Sequence, residues 1–357
     1  MKDRPINVLV VDDSAVSRMH LMHLLKSDPL IRVMGAVNDG QAALDFIKEQ
    51  APDAIVMDIH MPGMDGFETT RRIMEIKPVP IIICSADTSP GGVATTFRAL
   101  EAGAIACVEK PASREHADFE SMAANLRQTV RLMSEVKVVR RWPRSRSSTP
   151  SVSAARLTES KPPAGVRLIG IGASTGGPPV LQTILAGLPK NFPVPVLIVQ
   201  HITHGFLPGL VEWLGQTTGF QVQIAAYGVS PVAGHVYLAP DGFHMGLSPS
   251  GRIVLTREEP ENGLRPAVSY LFRSLADVCG PDAVGVLLTG MGKDGAMELR
   301  LMKDRGATTI AQDRESSVVH GMPGEAIALG GVTHVMPADK IAGLLLTLTS
   351  HRNIRKE

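Results

Sequence analysis

Val8-Leu9-Val10-Val11-Asp12-Asp13, residues 8–13, decides how the first half of the chain is read: an apolar run stops abruptly at two carboxylates. A short continuous apolar run of this kind fits a strand buried on both faces, as in a parallel sheet. The pattern recurs at Ala54-Ile55-Val56-Met57 before Asp58, at Ile81-Ile82-Ile83-Cys84 before Ser85, and at Ala106-Cys107-Val108 before Lys110-Pro111. A less regular run from Ile31 to Val37, broken by Arg32 and Gly35, supplies another strand. Helix-like segments separate the runs, so the order is β then α, five times over, and the expected unit is α/β with a parallel five-stranded sheet. The carboxyl ends of such strands meet at one edge. Asp12, Asp13, Asp58, Ser85 and Lys110 are therefore expected to converge there.

Three carboxylates brought together repel one another unless a divalent cation sits among them, and hard oxygen ligands of this kind favour Mg²⁺. With the cation held by Asp12, Asp13 and Asp58, Asp58 can attack a phosphoryl donor while the Lys110 ammonium neutralises charge on the transferring oxygens. Ser85 then hydrogen-bonds the new phosphoryl group. A single isolated Asp is more simply a helix cap or turn residue, but five suitable groups at four strand ends are not explained that way.

The second half repeats the α/β pattern with different chemistry. Leu168-Ile169-Gly170-Ile171 reads as a strand entering the turn Gly172-Ala173-Ser174-Thr175-Gly176-Gly177, and Pro178 to Leu188 reads as the helix that follows. Val194-Pro195-Val196-Leu197-Ile198-Val199 delivers Gln200-His201. Ala283-Val284-Gly285-Val286-Leu287-Leu288 delivers Thr289-Gly290-Met291-Gly292-Lys293-Asp294-Gly295. Serine is a weak nucleophile near neutral pH and needs a base that takes its proton and an acid that orients the base. His201 and Asp294 can fill those roles, with backbone N–H groups at Thr175 or Met291 as oxyanion donors. Glycine-rich strand-to-helix turns also bind phosphate, but the spacing here misses the dinucleotide Gly-x-Gly-x-x-Gly pattern by one residue. The chain order Ser174, His201, Asp294 is not that of an α/β-hydrolase, which runs Ser, acid, His. His204, His235, His244 and His320 are read as surface or packing histidines.

Length and composition frame these sites. A chain of 357 residues accommodates two domains, each with its own core. Lys plus Arg number 36 against 35 Asp plus Glu, so nothing in the bulk charge calls for nucleic acid or an anionic membrane as partner. No apolar run approaches the roughly 20 residues of a membrane span, and the start Met1-Lys2-Asp3-Arg4-Pro5 has no signal core, so a cytoplasmic protein without direct membrane insertion is expected. Cys84, Cys107 and Cys279 are widely spaced and lie in or beside apolar stretches, as buried reduced thiols do. From Lys137 to Pro163 the chain is rich in Arg, Ser and Pro and cannot bury enough to fold alone. The expected division is a first domain over 1–125, a linker over 126–165, a second domain over 166–350 and a solvated tail over 351–357.

With these residues in view, residues 6 to about 125 resemble a response-regulator receiver domain of flavodoxin-like fold. The resemblance implies metal-binding acids at Asp12 and Asp13, a phospho-acceptor at Asp58 within Met57-Asp58-Ile59-His60-Met61-Pro62-Gly63-Met64-Asp65-Gly66, a switch hydroxyl at Ser85 and the family's lysine at Lys110. It departs at Cys107, where such receivers usually carry Tyr or Phe. The second unit resembles the catalytic domain of the chemotaxis protein-glutamate methylesterase (CheB) family, through Ile171 to Gly177, Gln200-His201, Leu288 to Ala296, Ala311-Gln312-Asp313 and Gly321-Met322-Pro323. That resemblance implies an α/β methylesterase domain with a mostly parallel sheet, Ser174 as nucleophile, His201 as base and then acid, and Asp294 as its orienting partner.

It also implies hydrolysis of glutamyl methyl esters on chemoreceptor cytoplasmic helices, with deamidation of glutamines as a related activity. A chemotaxis histidine kinase is the implied phosphodonor, Mg²⁺ the receiver's cofactor, and no cofactor is implied for the esterase. In the family the receiver covers the active site until its aspartate is phosphorylated. The segment Ile202-Thr203-His204-Gly205-Phe206-Leu207 departs from the family's usual Met-Pro continuation and is expected to border the substrate groove. A non-catalytic docking module and a DNA-binding regulator are competing classes, the latter opposed by the lack of a basic recognition helix.

Overall fold

The computed structural model describes residues 4–86, 97, 99–111, 119–136, 138 and 165–350. In the first domain, strands β1 (Ile6–Val11), β2 (Ile31–Val37), β3 (Ala54–Met57), β4 (Ile81–Ser85) and β5 (Ala106–Glu109) form one sheet in the order β2-β1-β3-β4-β5. Every pair is parallel. The apolar runs explain this: Val8 to Val11, Ala54 to Met57 and Ile81 to Cys84 are buried throughout, with helices on both faces supplying the cover.

Polar residues between the runs set the helix starts. Ser14, Asp39 and Asp65 are the N-caps of helices Ala15–Lys26, Gly40–Glu49 and Gly66–Ile76, accepting from the N–H groups of Ser17, Ala42 and Glu68. These caps account for three side chains that could be mistaken for site residues. Asp12, Asp13 and Asp58 are not among the caps.

In the second domain, β6 (Leu168–Ala173), β7 (Val196–Gln200), β8 (Gln221–Ile224), β9 (His235–Leu238), β12 (Ala283–Leu287), β13 (Thr308–Gln312) and β14 (His334–Met336) make a seven-stranded sheet. Its order is β14-β13-β12-β6-β7-β9-β8 and every pairing is parallel. The strands β10 (His244–Leu247) and β11 (Ile253–Thr256) form a separate antiparallel hairpin. The strand expected from Val194 begins at Val196, because Pro195 has no N–H to give a ladder. The chain leaves β6 toward β7 on one side and returns to β12 on the other, so the carboxyl end of β6 is a switch point where an α/β sheet opens a crevice.

The helix Phe119–Met133 runs past residue 125 with Leu126, Val130 and Met133 buried on its inner face. The linker expected from 126 thus starts inside a helix, whose apolar spacing continues the first domain's core. Almost all of the Arg/Ser/Pro-rich stretch 137–163 and the whole tail 351–357 lie outside the described residues, as does the start of the helix expected after Ser85. No helix among the described residues is long and apolar enough to cross a membrane. None of the three cysteines is in a disulfide among the described residues; Cys84 is buried, whereas Cys107 and Cys279 are only partly so.

The two domains touch. Phe97 of the first stacks on Trp213 of the helix Leu207–Thr218, with ring centroids 5.4 Å apart and 24° between planes. Glu101 accepts from Trp213 Nε1 at 3.0 Å and from Gln182 Nε2 at 3.2 Å. Gln128 on the helix Phe119–Met133 donates to Met291 Sδ at 3.4 Å.

Candidate active sites

The acidic site sits at the carboxyl edge of the first sheet, between β1 and β3, where the chain order reverses. The Asp58 N–H donates to Val11 O at 2.8 Å, which carries the residue's side chain beside the end of β1. Lys110 Nζ reaches both Asp12 Oδ2, at 2.8 Å, and Asp58 Oδ2, at 3.0 Å. Asp12 also accepts from the Ser14 N–H at 3.0 Å and the Ser17 hydroxyl at 2.6 Å. Ser85 ends β4, is fully buried, and its carbonyl accepts the Lys110 N–H at 2.8 Å. All five residues expected from the sequence therefore lie at this one edge.

One lysine between two carboxylates leaves the site short of positive charge. Burial pushes the Asp58 carboxyl above the usual range despite Lys110, and Asp12 adds to the rise. Lys110 is raised as well: burial alone would lower its ammonium, but pairing with both carboxylates holds it above its ordinary value. The ligand oxygens of Asp12, Asp13 and Asp58 all lie within 4.8 Å of one another, with Asp13 exposed at the rim. An all-oxygen, charge-deficient cluster open on one side fits a hard divalent cation.

The second site is built from three adjacent strands, β12, β6 and β7. Ser174 follows β6 and is held by its N–H to Thr289 O at 3.0 Å, while its carbonyl accepts from Gly177 N–H at 2.8 Å. The turn requires Gly176, whose φ of +77° is the left-handed region and whose position admits no Cβ, since one would lie 2.6 Å from Val318. His201 follows β7, and its Nε2 lies 2.9 Å from Asp294 Oδ2.

Asp294, 2% exposed, is the most heavily bonded group in the domain. Besides His201 it accepts from the Val268 N–H at 2.6 Å, from the Ser269 N–H at 3.1 Å and from the Ser269 hydroxyl, and Asn262 Nδ2 lies at 3.4 Å. Val268 and Ser269 open the helix Val268–Val278, so free N–H groups and the positive end of the helix dipole meet the carboxylate. Burial would push Asp294 up, but His201, Ser269 and the Val268 N–H outweigh it and hold the carboxyl below its usual range.

Ser174, Thr175, His201, Met291 and Asp294 line one cavity of about 1190 Å³. The expected contact between the Ser174 hydroxyl and His201 is not made: among the described residues that hydroxyl has no hydrogen-bond partner. Since Nε2 is engaged by Asp294, Nδ1 is the nitrogen left to face the serine. The N–H groups of Thr175 and Met291 likewise have no acceptor among the described residues. Ile202, Thr203, His204 and Phe206 border the cavity, as expected for the 202–207 segment. His244 is fully buried, stacked on Tyr270, and His204 is largely exposed beside Asp241, so neither competes as a base.

The sequence did not point to Ser269, Val268 or Asn262 as partners of Asp294, nor to a role for the Gln200 side chain. Gln200 Nε2 donates to Ser174 O and His201 O, each at 2.8 Å, while its Oε1 is buried without a partner among the described residues. An unpaired buried acceptor costs about 1–3 kcal/mol. A polar residue closing an otherwise apolar strand was the available signal for Gln200. For Ser269 the signal was a hydroxyl in the first turn after Pro266.

The opposite wall of the cavity belongs to the first domain. Cys107 and Val108 of β5, with Met122, Asn125 and Leu132 of the helix Phe119–Met133, face the Ser174 turn. Burial raises the Cys107 thiol above its ordinary range, so it stays protonated in this wall.

A family model described as CheB methylesterase matches residues 169–345, and one described as response regulator receiver domain matches residues 8–118. A protein of Nitrosospira multiformis named protein-glutamate methylesterase/protein-glutamine glutaminase is 53% identical over 351 residues, covering 98% of this chain and 99% of that protein. A relative of the same designation from Syntrophus aciditrophicus is 52% identical, with 96% and 98% covered. Among solved structures, the catalytic domain of Thermotoga maritima CheB methylesterase superposes with a TM-score of 0.50 at 39% identity, over 52% of this chain and 100% of that one.

Proposed function

Because this chain belongs to the CheB methylesterase family and carries a receiver domain ahead of the esterase, we propose that it hydrolyses glutamyl methyl esters, and deamidates glutamines, on the cytoplasmic helices of chemoreceptors. The single observation that carries the reading is that Ser174, His201 and Asp294 come from three neighbouring strand ends to line one cavity that the receiver walls on its other side.

In this reading Ser174 Oγ attacks the ester carbon while His201 Nδ1 takes its proton, and the Asp294 carboxylate stabilises the imidazolium formed. The oxyanion accepts from the Thr175 and Met291 N–H groups. His201 returns the proton to the leaving methoxide, releasing methanol, or to the leaving amide nitrogen, releasing ammonia. Water then attacks the acyl-serine with His201 as base, giving the free glutamate. The buried donors on Asp294 keep it ionised, and so keep the imidazole anchored through Nε2.

The receiver is the control element. Asp58 is the phospho-acceptor, a chemotaxis histidine kinase the donor, and Ser85 and Lys110 hold the phosphoryl oxygens. Asp12, Asp13 and Asp58 would hold Mg²⁺, which when bound offsets negative charge during transfer. The receiver wall obstructs a helix-borne ester while Asp58 is unmodified, and phosphorylation opens it. A cytoplasmic location follows from the substrate. The chain divides in this reading into a receiver ending with the helix at Met133, a linker, and a methylesterase domain over 166–350.

The test is methanol release from methylated receptor cytoplasmic fragments, with and without a small phosphodonor plus Mg²⁺. Ser174→Ala is expected to abolish release, and Asp58→Ala to remove only the increment due to the phosphodonor. Chelating Mg²⁺ should mimic Asp58→Ala. Wild-type release by Ser174→Ala would reject the esterase assignment.

A further inference from the structure

Gln200 closes β7 directly opposite Ala173 of β6, and the His201 N–H to Ala173 O bond, at 2.9 Å, is the last ladder contact between the two strands. One residue further on, the nucleophile and the base leave their strands in separate turns. The Gln200 carboxamide spans that gap. Its two N–H bonds go to the carbonyls of Ser174 and of His201, each at 2.8 Å. Two acceptors on one side fix which end of the amide is nitrogen, because the oxygen could donate to neither.

Two features make this more than incidental packing. Gln200 is 5% exposed, and its Oε1 is buried without a partner among the described residues, so the side chain is kept at a cost an apolar residue of the same length would avoid. The oxygen also occupies the space over Gly177, where a Cβ would fall 2.1 Å from it. The second glycine of the Ser174 turn is thus matched to the amide from the neighbouring strand. The two sequence segments that carry the catalytic pair interlock through this one side chain.

We propose that Gln200 is a positioning residue for hydrolysis: by tying the backbone of Ser174 to that of His201, it sets the distance between hydroxyl and imidazole that proton transfer needs. Its amide nitrogen bonds backbone carbonyls and not the Ser174 hydroxyl or the His201 ring. The inference rests on the assignment of Ser174 and His201 as nucleophile and base. Gln200 also lines the cavity, but both bonds its amide donates go to backbone carbonyls of the catalytic pair, so its effect is expected on the chemical step.

The experiment uses the full chain with a phosphodonor and Mg²⁺, comparing wild type, Gln200→Met, Gln200→Glu and Ser174→Ala on a methylated receptor fragment. Gln200→Met keeps length and removes the orphan oxygen, which offsets part of the cost of losing both donors, and its melting temperature is measured beside its kinetics. Gln200→Glu keeps the shape and loses the donors. Both are expected to lower kcat about 10- to 100-fold with KM changed by less than about twofold. Labelling of Ser174 by a fluorophosphonate should slow in parallel, since it needs no receptor docking. A folded variant whose kcat stays within about twofold of wild type overturns the proposal, as does a loss confined to KM. Failure of both variants to fold also overturns it, by making the amide structural. If Ser174→Ala itself turns over like wild type, the esterase assignment fails instead, a result separable from an inert Ser174→Ala beside an unaffected Gln200 variant.

Discussion

Asp294 is where a single residue's surroundings matter most. Its charge is buried, and the Ser269 hydroxyl and N–H, the Val268 N–H and His201 all converge on it. A carboxyl whose folded value lies below its unfolded value stabilises the fold at pH above the ordinary carboxylate range, and that contribution fades as pH falls through the depressed value. Ser269→Ala should therefore cost about 1.5–3 kcal/mol near neutral pH, as for a lost hydrogen bond to a charged group. The deficit should narrow below about pH 4, the ordinary Asp range, as Asp294 protonates; urea unfolding at several pH values measures it. A deficit constant down to pH 2.5 would mean that Ser269 supports packing rather than the charge. The positions of Ser174, His201 and Asp294 were legible in the sequence because each lies in the turn or loop that follows an apolar run. Ser269 and Asn262 were not, because their contact with Asp294 bridges 25 and 32 residues and leaves no local pattern.

Strand β5 joins two functions within four residues. Cys107 faces the cavity that holds Ser174, while Lys110 just beyond the strand binds Asp12 and Asp58. On the proposed function, charge added at Asp58 would pull on Lys110 and hence on the strand that forms the cavity wall. With Cys107 in place of an aromatic ring, that movement needs no large side chain to swing inward.

On the esterase side, the comparable element is the turn after β6. Gly176→Ala forces a side chain into the left-handed region and against Val318, so it should destabilise the second domain by roughly 1–3 kcal/mol while the receiver still takes up phosphate. Denaturant unfolding paired with phosphodonor uptake separates the two, and a variant as stable as wild type would show that the turn tolerates the added methyl. The five receiver strands and β6, β7 and β12 were readable from apolar runs, whereas β8, β9, β13, β14 and the hairpin, short and less uniformly apolar, were not. The extent of the helix Phe119–Met133 was not, because its apolar spacing grades into the Arg-rich stretch with no glycine or proline to mark an end.

For the molecule as a whole, the domains meet among the described residues through specific contacts. The Phe97–Trp213 stack contributes about 0.5–1.5 kcal/mol beyond its buried area, and Glu101 adds bonds to Trp213 and Gln182 at an exposed edge. If this contact holds the receiver over the cavity, Glu101→Ala weakens it by about 1 kcal/mol, or about fivefold in the open population. Methanol release without phosphodonor should rise by that factor, while the phosphorylated rate stays unchanged. An unaltered basal rate would place the restraint elsewhere. No sequence pattern announced this interface, since Phe97 and Trp213 are distant in the chain and no local spacing links them.

A cavity of about 1190 Å³ shared by both domains also acts as a sieve. An α-helix with its side chains is roughly 10–12 Å across, so a receptor helix must part the walls before its ester reaches Ser174. A small free ester meets no such barrier. On the proposed function, the unmodified enzyme would thus screen esters by size, and the state of an aspartate in one domain would decide what reaches a serine in the other.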